Sequence, residues 1–123
     1  MIGFYQRYNH YKLYPKSVLE IGCSNGYRLQ KLHKTYSCSC YEIDPSDNAI
    51  KDGQKQYPTL NLYKGDATKL PFTDKKFDMV IFGFCLYLCD REDLFKIAYE
   101  ADRVLKKNGH IVIYDFFHGY AVL

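Results

Sequence analysis

Three observations on this chain predict an α/β fold with a doubly wound, mostly parallel sheet. Short apolar runs of strand length alternate with segments of helical period along most of the sequence. The first run, Val18 to Ile21, leads into Gly22, Ser24 and Gly26, a tight turn that opens a helix over Tyr27 to Tyr36. Phe77 to Phe84 is nearly continuously apolar, as a strand covered on both faces should be.

The bulk properties narrow the class. A chain of 123 residues makes one domain, large enough for a core but small for an enzyme. With 47% hydrophobic and 25% charged residues it is globular in composition rather than disordered. A net charge of +3, with lysines scattered or paired (Lys75-Lys76, Lys106-Lys107), gives no basic stripe and argues against nucleic acid. No apolar run is long enough to span a bilayer, and Met1 leads straight into Tyr- and Lys-containing sequence without a signal peptide, so no membrane association and a cytoplasmic location are expected. The five cysteines include Cys38-x-Cys40 and Cys85-x-x-x-Cys89, neither with the Cys-x-x-Cys spacing of structural zinc sites. Reduced packing thiols are expected, with no metal. The thirteen tyrosines are a heavy load with no evident reason beyond their fitness for half-buried positions.

In chain order, Tyr5, Tyr8 and Tyr11 have the spacing of a short helix that Pro15 ends; it either packs on the sheet or closes over the strand ends. The strand from Ser17 to Gly22 and its glycine turn let backbone N–H groups approach a ligand at a helix N-terminus, the alternative being an ordinary strand-to-helix turn. Ser37 to Ile43 is the second strand. Asp44 then falls at its carboxyl end, 22 residues after Gly22, where an acid can accept from both ribose hydroxyls of a nucleotide. Pro45, Ser46 and Asp47 also open a helix through Ile50 to Tyr57, so a helix-terminal acid is the alternative to the ribose reading, which the glycine turn favours.

Leu60 to Lys64 is the third strand, followed by Gly65-Asp66-Ala67-Thr68. There a carboxylate can accept from an exocyclic amino group and the Ala67 N–H can donate to a ring nitrogen, unless Asp66 merely caps its own turn. The fourth strand, Phe77 to Phe84, ends before Tyr87 and Asp90. A helix is expected from Arg91 to Lys107, with Leu94, Ile97, Ala98, Ala101, Val104 and Leu105 on one apolar face and Asn108-Gly109 as its stop. His110 to Phe116 is the fifth strand, and His118 to Leu123 is too short for another element. The sheet would then end on an uncovered apolar edge, so a longer protein or a second copy of the chain (a homo-oligomer) is expected to cover it.

Five ordered segments resemble the class I S-adenosylmethionine-dependent methyltransferases: Val18 to Gly26, Tyr41 to Ser46, Gly65 to Phe72, Phe77 to Ile81, and Val104 to Ile113. Each is weak alone; together and in family order they cover roughly Lys16 to Phe116. The resemblance implies a Rossmann-like sheet of five strands in the order 3-2-1-4-5. It makes 1–123 a single S-adenosylmethionine-binding domain, one that lacks the usual C-terminal helix and strands. It also implies that Glu20, Gly22, Cys23, Ser24 and Gly26 hold the methionine part, Asp44 with Pro45 the ribose, Asp66 and Ala67 the adenine, and Phe82 and Gly83 the methionyl amino end. The implied reaction is methyl transfer to a small-molecule or sugar-like acceptor, and an aromatic ring from Tyr5, Tyr8 or Tyr87 could face the sulfonium. Tyr87, Asp90, Asp115 and His118 lie near strand ends, but none is singled out as a base. Two other classes stay open: a cofactor-binding chain that needs a partner subunit for activity, and a nicotinamide-dependent oxidoreductase. Against the latter, Ser24 and Tyr27 stand at the second and third glycine positions of Gly-x-Gly-x-x-Gly.

Overall fold

A computed structural model describes residues 14–22, 26–83, 89–115 and 119–122. The elements are β1 (Ser17–Gly22), α1 (Tyr27–Tyr36), β2 (Ser39–Asp44), α2 (Asp47–Gln56), β3 (Asn61–Lys64), β4 (Phe77–Gly83), a 3-10 turn (Arg91–Asp93), α3 (Leu94–Val104), β5 (Leu105–Asp115) and β6 (Gly119–Val122). Among the described residues the strands form one sheet in the order β3-β2-β1-β4-β5-β6. β1 to β5 pair in parallel, so the order 3-2-1-4-5 is as expected. No helix among them is long and apolar enough to cross a membrane. The aromatic segment before Tyr14 lies outside the described residues.

Strand alternation divides the core into two layers. Val18, Cys40, Leu62, Met79, Ile81 and Val112 face Leu29 and Leu32 of α1 and Ile50 of α2. Leu19, Ile21, Ile43, Phe77, Val80 and Phe82 face Ile97, Ala101 and Val104 of α3. At the amino ends of the strands Asp78 of β4 ties three of them together. Its carboxylate accepts from the N–H groups of Lys16 (2.8 Å) and Ser17 (2.9 Å) and pairs with the Lys106 ammonium (3.3 Å).

No helix links β3 to β4. Residues 65–76 cross as an irregular loop, and its Leu70 and Phe72 cover the sheet face. Phe72 meets Tyr41 (5.8 Å), Tyr63 (5.4 Å) and Phe77 (5.1 Å) edge-on. Tyr41 and Tyr63 stack at 6.3 Å. Part of the tyrosine excess is thereby explained: these rings cover the face where a β3–β4 helix would otherwise lie, and their hydroxyls need not be buried.

Two sequence expectations are corrected. The helix expected from Arg91 to Lys107 is α-helical only over Leu94–Val104, and Leu105 already pairs with Phe77 at an irregularity in the ladder. Its buried face is Ile97, Glu100, Ala101 and Val104, while Ala98 is exposed. Glu100 is tolerated there because it is paired: it accepts from the Leu70 N–H (2.8 Å) and the Arg103 Nε (2.6 Å). Second, the segment after His118 is long enough for a strand. β6 pairs antiparallel with β5, Gly119 opposite Asp115 and Val122 opposite Val112, so the β5 edge is covered within the chain.

Candidate functional site

The carboxyl ends of β1, β2 and β3 open on a cavity of about 310 Å³. Ile21 and Gly22 reach it from β1, Ile43 and Pro45 from β2, and Gly65 to Thr68 from the turn after β3. Cys89, Asp90, Asp93 and Ile97 close the other wall. A crevice beyond the carboxyl ends of parallel strands is where open α/β sheets place ligands. The volume is at the low end of the about 300–1,000 Å³ of small-molecule pockets, enough for a nucleoside-sized group.

The polar part of this wall is acidic and held in place. Asp66 Oδ1 accepts from the Thr68 N–H (2.7 Å) and the Thr68 hydroxyl (2.9 Å). These bonds hold the Asp66 carboxyl below its usual range, so it stays an acceptor at neutral pH. Cys89 is pushed the other way: burial, then Asp66, Asp93 and Asp90, keep its thiol protonated.

A second cluster lies at the ends of β1 and β4. Glu20 is fully buried, and Arg28 in the first turn of α1 pairs with it, Nη2 to Oε2 2.7 Å. The guanidinium passes over Gly83, where a Cβ would stand 2.1 Å from Nη2. Gly22 and Gly83 are register partners, and a Cβ on Gly22 would meet the Gly83 carbonyl oxygen at 2.5 Å. The glycines thus make room for each other's strand and for the guanidinium. Gly26 has φ 94° and its absent Cβ would sit 2.8 Å from Leu60 Cδ1, so both backbone angle and packing require glycine there.

Of the residues singled out from sequence, Gly22, Pro45, Asp66 and Ala67 meet at the cavity. Glu20 and Gly83 meet at the Arg28 cluster instead. Phe82 is buried in the layer facing α3. Cys23, Ser24, Tyr5, Tyr8, Tyr87 and His118 lie outside the described residues. Asp44 ends β2 as expected, but its side chain is fully buried and Oδ1 accepts from the Ser46 N–H at 2.7 Å, while Ser46 caps α2. Asp90 is on the cavity wall. Sequence reasoning missed Arg28, although a cation in a helix's first turn opposes the macrodipole and so calls for a carboxylate partner. It also missed Ile43, Thr68, Cys89 and Ile97, which carried no signal of their own.

A parallel sheet in the order 3-2-1-4-5 with a cavity at the carboxyl ends of β1 to β3 and an ionised acid after β3 agrees with the class of S-adenosylmethionine-dependent methyltransferases. The chain belongs to this family: residues 19–113 match the model of the methyltransferase domain. It is 33% identical over 103 residues to a fatty-acid O-methyltransferase of Mycolicibacterium smegmatis, covering 81% of this chain and 37% of that protein. To a demethylmenaquinone methyltransferase of Streptomyces avermitilis it is 41% identical over 75 residues, 61% of this chain and 32% of that one. A crystal structure of a Pyrococcus horikoshii protein superimposes with a TM-score of 0.79 at 27% identity, over 89% of this chain and 52% of that one. The chain therefore spans about a third of these curated relatives and half of that structure. S-adenosylmethionine is the cofactor that goes with the family. The residues present fit its nucleoside: apolar walls from Ile21, Ile43 and Ile97, no side chain at Gly22, and an ionised acceptor at Asp66.

Proposed function

We propose that this chain binds S-adenosylmethionine across the ends of β1, β2 and β3 and serves methyl transfer to a small-molecule acceptor. The observation that carries this is the ionised Asp66 beside Ala67 on an otherwise largely apolar cavity wall. Asp66 accepts from the adenine amino group, the Ala67 N–H donates to a ring nitrogen, and Ile43, Pro45 and Ile97 hold the ring faces. Glu20 and Arg28 have the opposite charges that an amino-acid end requires, with Gly83 directly beside the guanidinium. When bound, the cofactor supplies a methyl group on a positively charged sulfur, ready for displacement by a lone pair. The chain's own residues then need only orient donor and acceptor and exclude water, an effect worth about 7–11 kcal/mol in favourable cases. The relatives named for demethylmenaquinone and fatty acids favour a lipid-like acceptor over a sugar-like one. A cofactor-binding chain without turnover of its own is the second reading; the cavity, as the described residues line it, is of nucleoside size.

Calorimetric titration with S-adenosylhomocysteine tests the proposal. Binding is expected, with none for NAD, and Asp66→Ala should weaken it about ten- to hundredfold, the worth of a hydrogen bond to a charged group. Asp44→Asn separates two roles for that acid. If it grips the ribose, affinity falls comparably; if it only orders the Ser46 turn, affinity holds while stability drops. Binding of NAD in place of S-adenosylhomocysteine would overturn the assignment, and binding without methyl transfer to quinone or fatty-acid acceptors would favour the second reading.

A further inference from the structure

Away from the cavity, where α1 turns into β2, two cysteine side chains meet in the core. Ser37 in the left-handed region (φ 54°) ends α1, and Cys38 and Cys40 follow on one face of the chain, 1% and 2% exposed. Their sulfurs are 3.3 Å apart, in S–H···S contact. The Cys38 carbonyl is held by His33 Nδ1 at 2.9 Å, and the Ser39 N–H donates to the Lys16 carbonyl at 2.8 Å. The backbone is therefore fixed on both sides of the pair. Neither thiol has a place in the cofactor site. Leu29, Leu32 and Met79 belong to the same apolar layer, and no group of three or more metal-ligating side chains forms among the described residues.

We propose that Cys38 and Cys40 are an oxidative modification site, a buried dithiol that a peroxide converts to an intrachain disulfide. The two thiols are not equivalent. The Cys40 sulfur lies 3.3 Å from the Cys38 sulfur and 3.5 Å from the Cys38 carbonyl oxygen, and the sulfur–sulfur contact favours the Cys38 thiolate and pulls that thiol below its ordinary range. The same contact, with burial added, pushes Cys40 well above it. Cys38 is thus the attacking sulfur: its thiolate takes one oxygen from hydrogen peroxide, breaking the O–O bond and releasing hydroxide, and becomes a sulfenic acid. The Cys40 sulfur then attacks the Cys38 sulfur, an S–S bond forms, and the hydroxyl leaves as water with the Cys40 proton. In sum two thiols and one peroxide give one disulfide and two waters. Burial makes the first step slow and reserves it for openings of the α1–β2 turn, whereas Cys89, on the cavity wall, is more exposed but is held protonated by burial and three carboxylates.

The test uses the reduced, folded chain treated with hydrogen peroxide, quenched and alkylated under denaturing conditions. The expected product is lighter by about 2 Da before alkylation, the loss of two hydrogens; after alkylation it has two fewer alkylated cysteines out of five and carries the linkage in the peptide containing Cys38 and Cys40. Cys40→Ala should form no disulfide, and any sulfenic acid that dimedone traps at Cys38 should build up more slowly than the disulfide does in the unmodified sequence, because the contact that favours the Cys38 thiolate is gone. Because that substitution alters the core, peptide mapping of the unmodified sequence stands as an independent measurement. Full alkylation of both cysteines after treatment, a bridge to any other cysteine, or oxidation confined to Cys89 would overturn the proposal.

Discussion

Glu20 shows how one residue's surroundings set a pH dependence. Burial raises its carboxyl above the ordinary value near 4.5; the Arg28 guanidinium opposes this and the Asp44 carboxylate adds to it. The folded chain therefore still binds a proton at Glu20 at pH values where the unfolded chain has lost it. Stability from this group is complete below about pH 4.5 and is lost as pH rises through the folded value. Glu20→Gln removes the titration, so its stability relative to the unmutated chain should climb as pH rises from 4.5 toward neutrality. Urea unfolding midpoints at the two pH values measure this, and parallel shifts would contradict it. The sequence placed an acid at position 20, but the side chain that faces it came from eight residues further on and from a glycine on another strand. Such a pairing is tertiary and leaves little local trace.

At the scale of elements, α3 works as a clamp on the loop that carries Asp66 toward the cavity. Arg103 donates to the carbonyls of Phe72 (2.8 Å) and Leu70 (3.0 Å) and to the Asp74 carboxylate (2.8 Å), while pairing with buried Glu100. These bonds hold Glu100 below the usual carboxylate range and Arg103 above its own. Arg103→Leu should cost roughly 1.5–3 kcal/mol, the worth of hydrogen bonds to a charged group. Hydrogen exchange of the amides between Leu70 and Lys76 should quicken more than that of β1 or β4. Uniform acceleration across the sheet would mean that the loop has no stability of its own. The clamp also explains what was and was not legible. Helix α1 and strand β4 were read at or within one residue of their bounds because apolar period and turn residues agreed there. The end of α3 was misread because Leu105 continues the helical apolar stripe equally well as it begins a strand, and because Glu100 looks like a solvent-facing charge until Arg103 and Leu70 are folded against it. Gly22, Pro45, Asp66 and Ala67 could be placed at strand ends from sequence, whereas Cys89 and Ile97 reach the same cavity only through the packing of α3.

At the scale of the whole molecule, the decisive feature is how the outer edge of β5 is covered. β5 is apolar at Ile111, Val112 and Ile113, with Val112 fully buried and its neighbours half-buried. Unpaired, its outer edge would offer a row of backbone donors and acceptors beside exposed apolar side chains, a template for another copy. β6 occupies that edge from Val112 to Asp115 with four residues, so among the described residues β5 has strand partners on both sides. Removing residues 119–123 should therefore produce self-association without loss of the inner sheet. Sedimentation should show concentration-dependent oligomers and circular dichroism should keep the helical signal of α1 to α3. The binding of S-adenosylhomocysteine by the truncated chain separates edge from site: the cavity is built from β1, β2, β3 and α3, four elements away from or across the sheet from β6, so affinity should hold while solubility falls. A monomer of unchanged solubility would mean that β6 does not guard the edge, and a chain that unfolds would mean that the hairpin with β5 is part of the core's stability rather than its boundary.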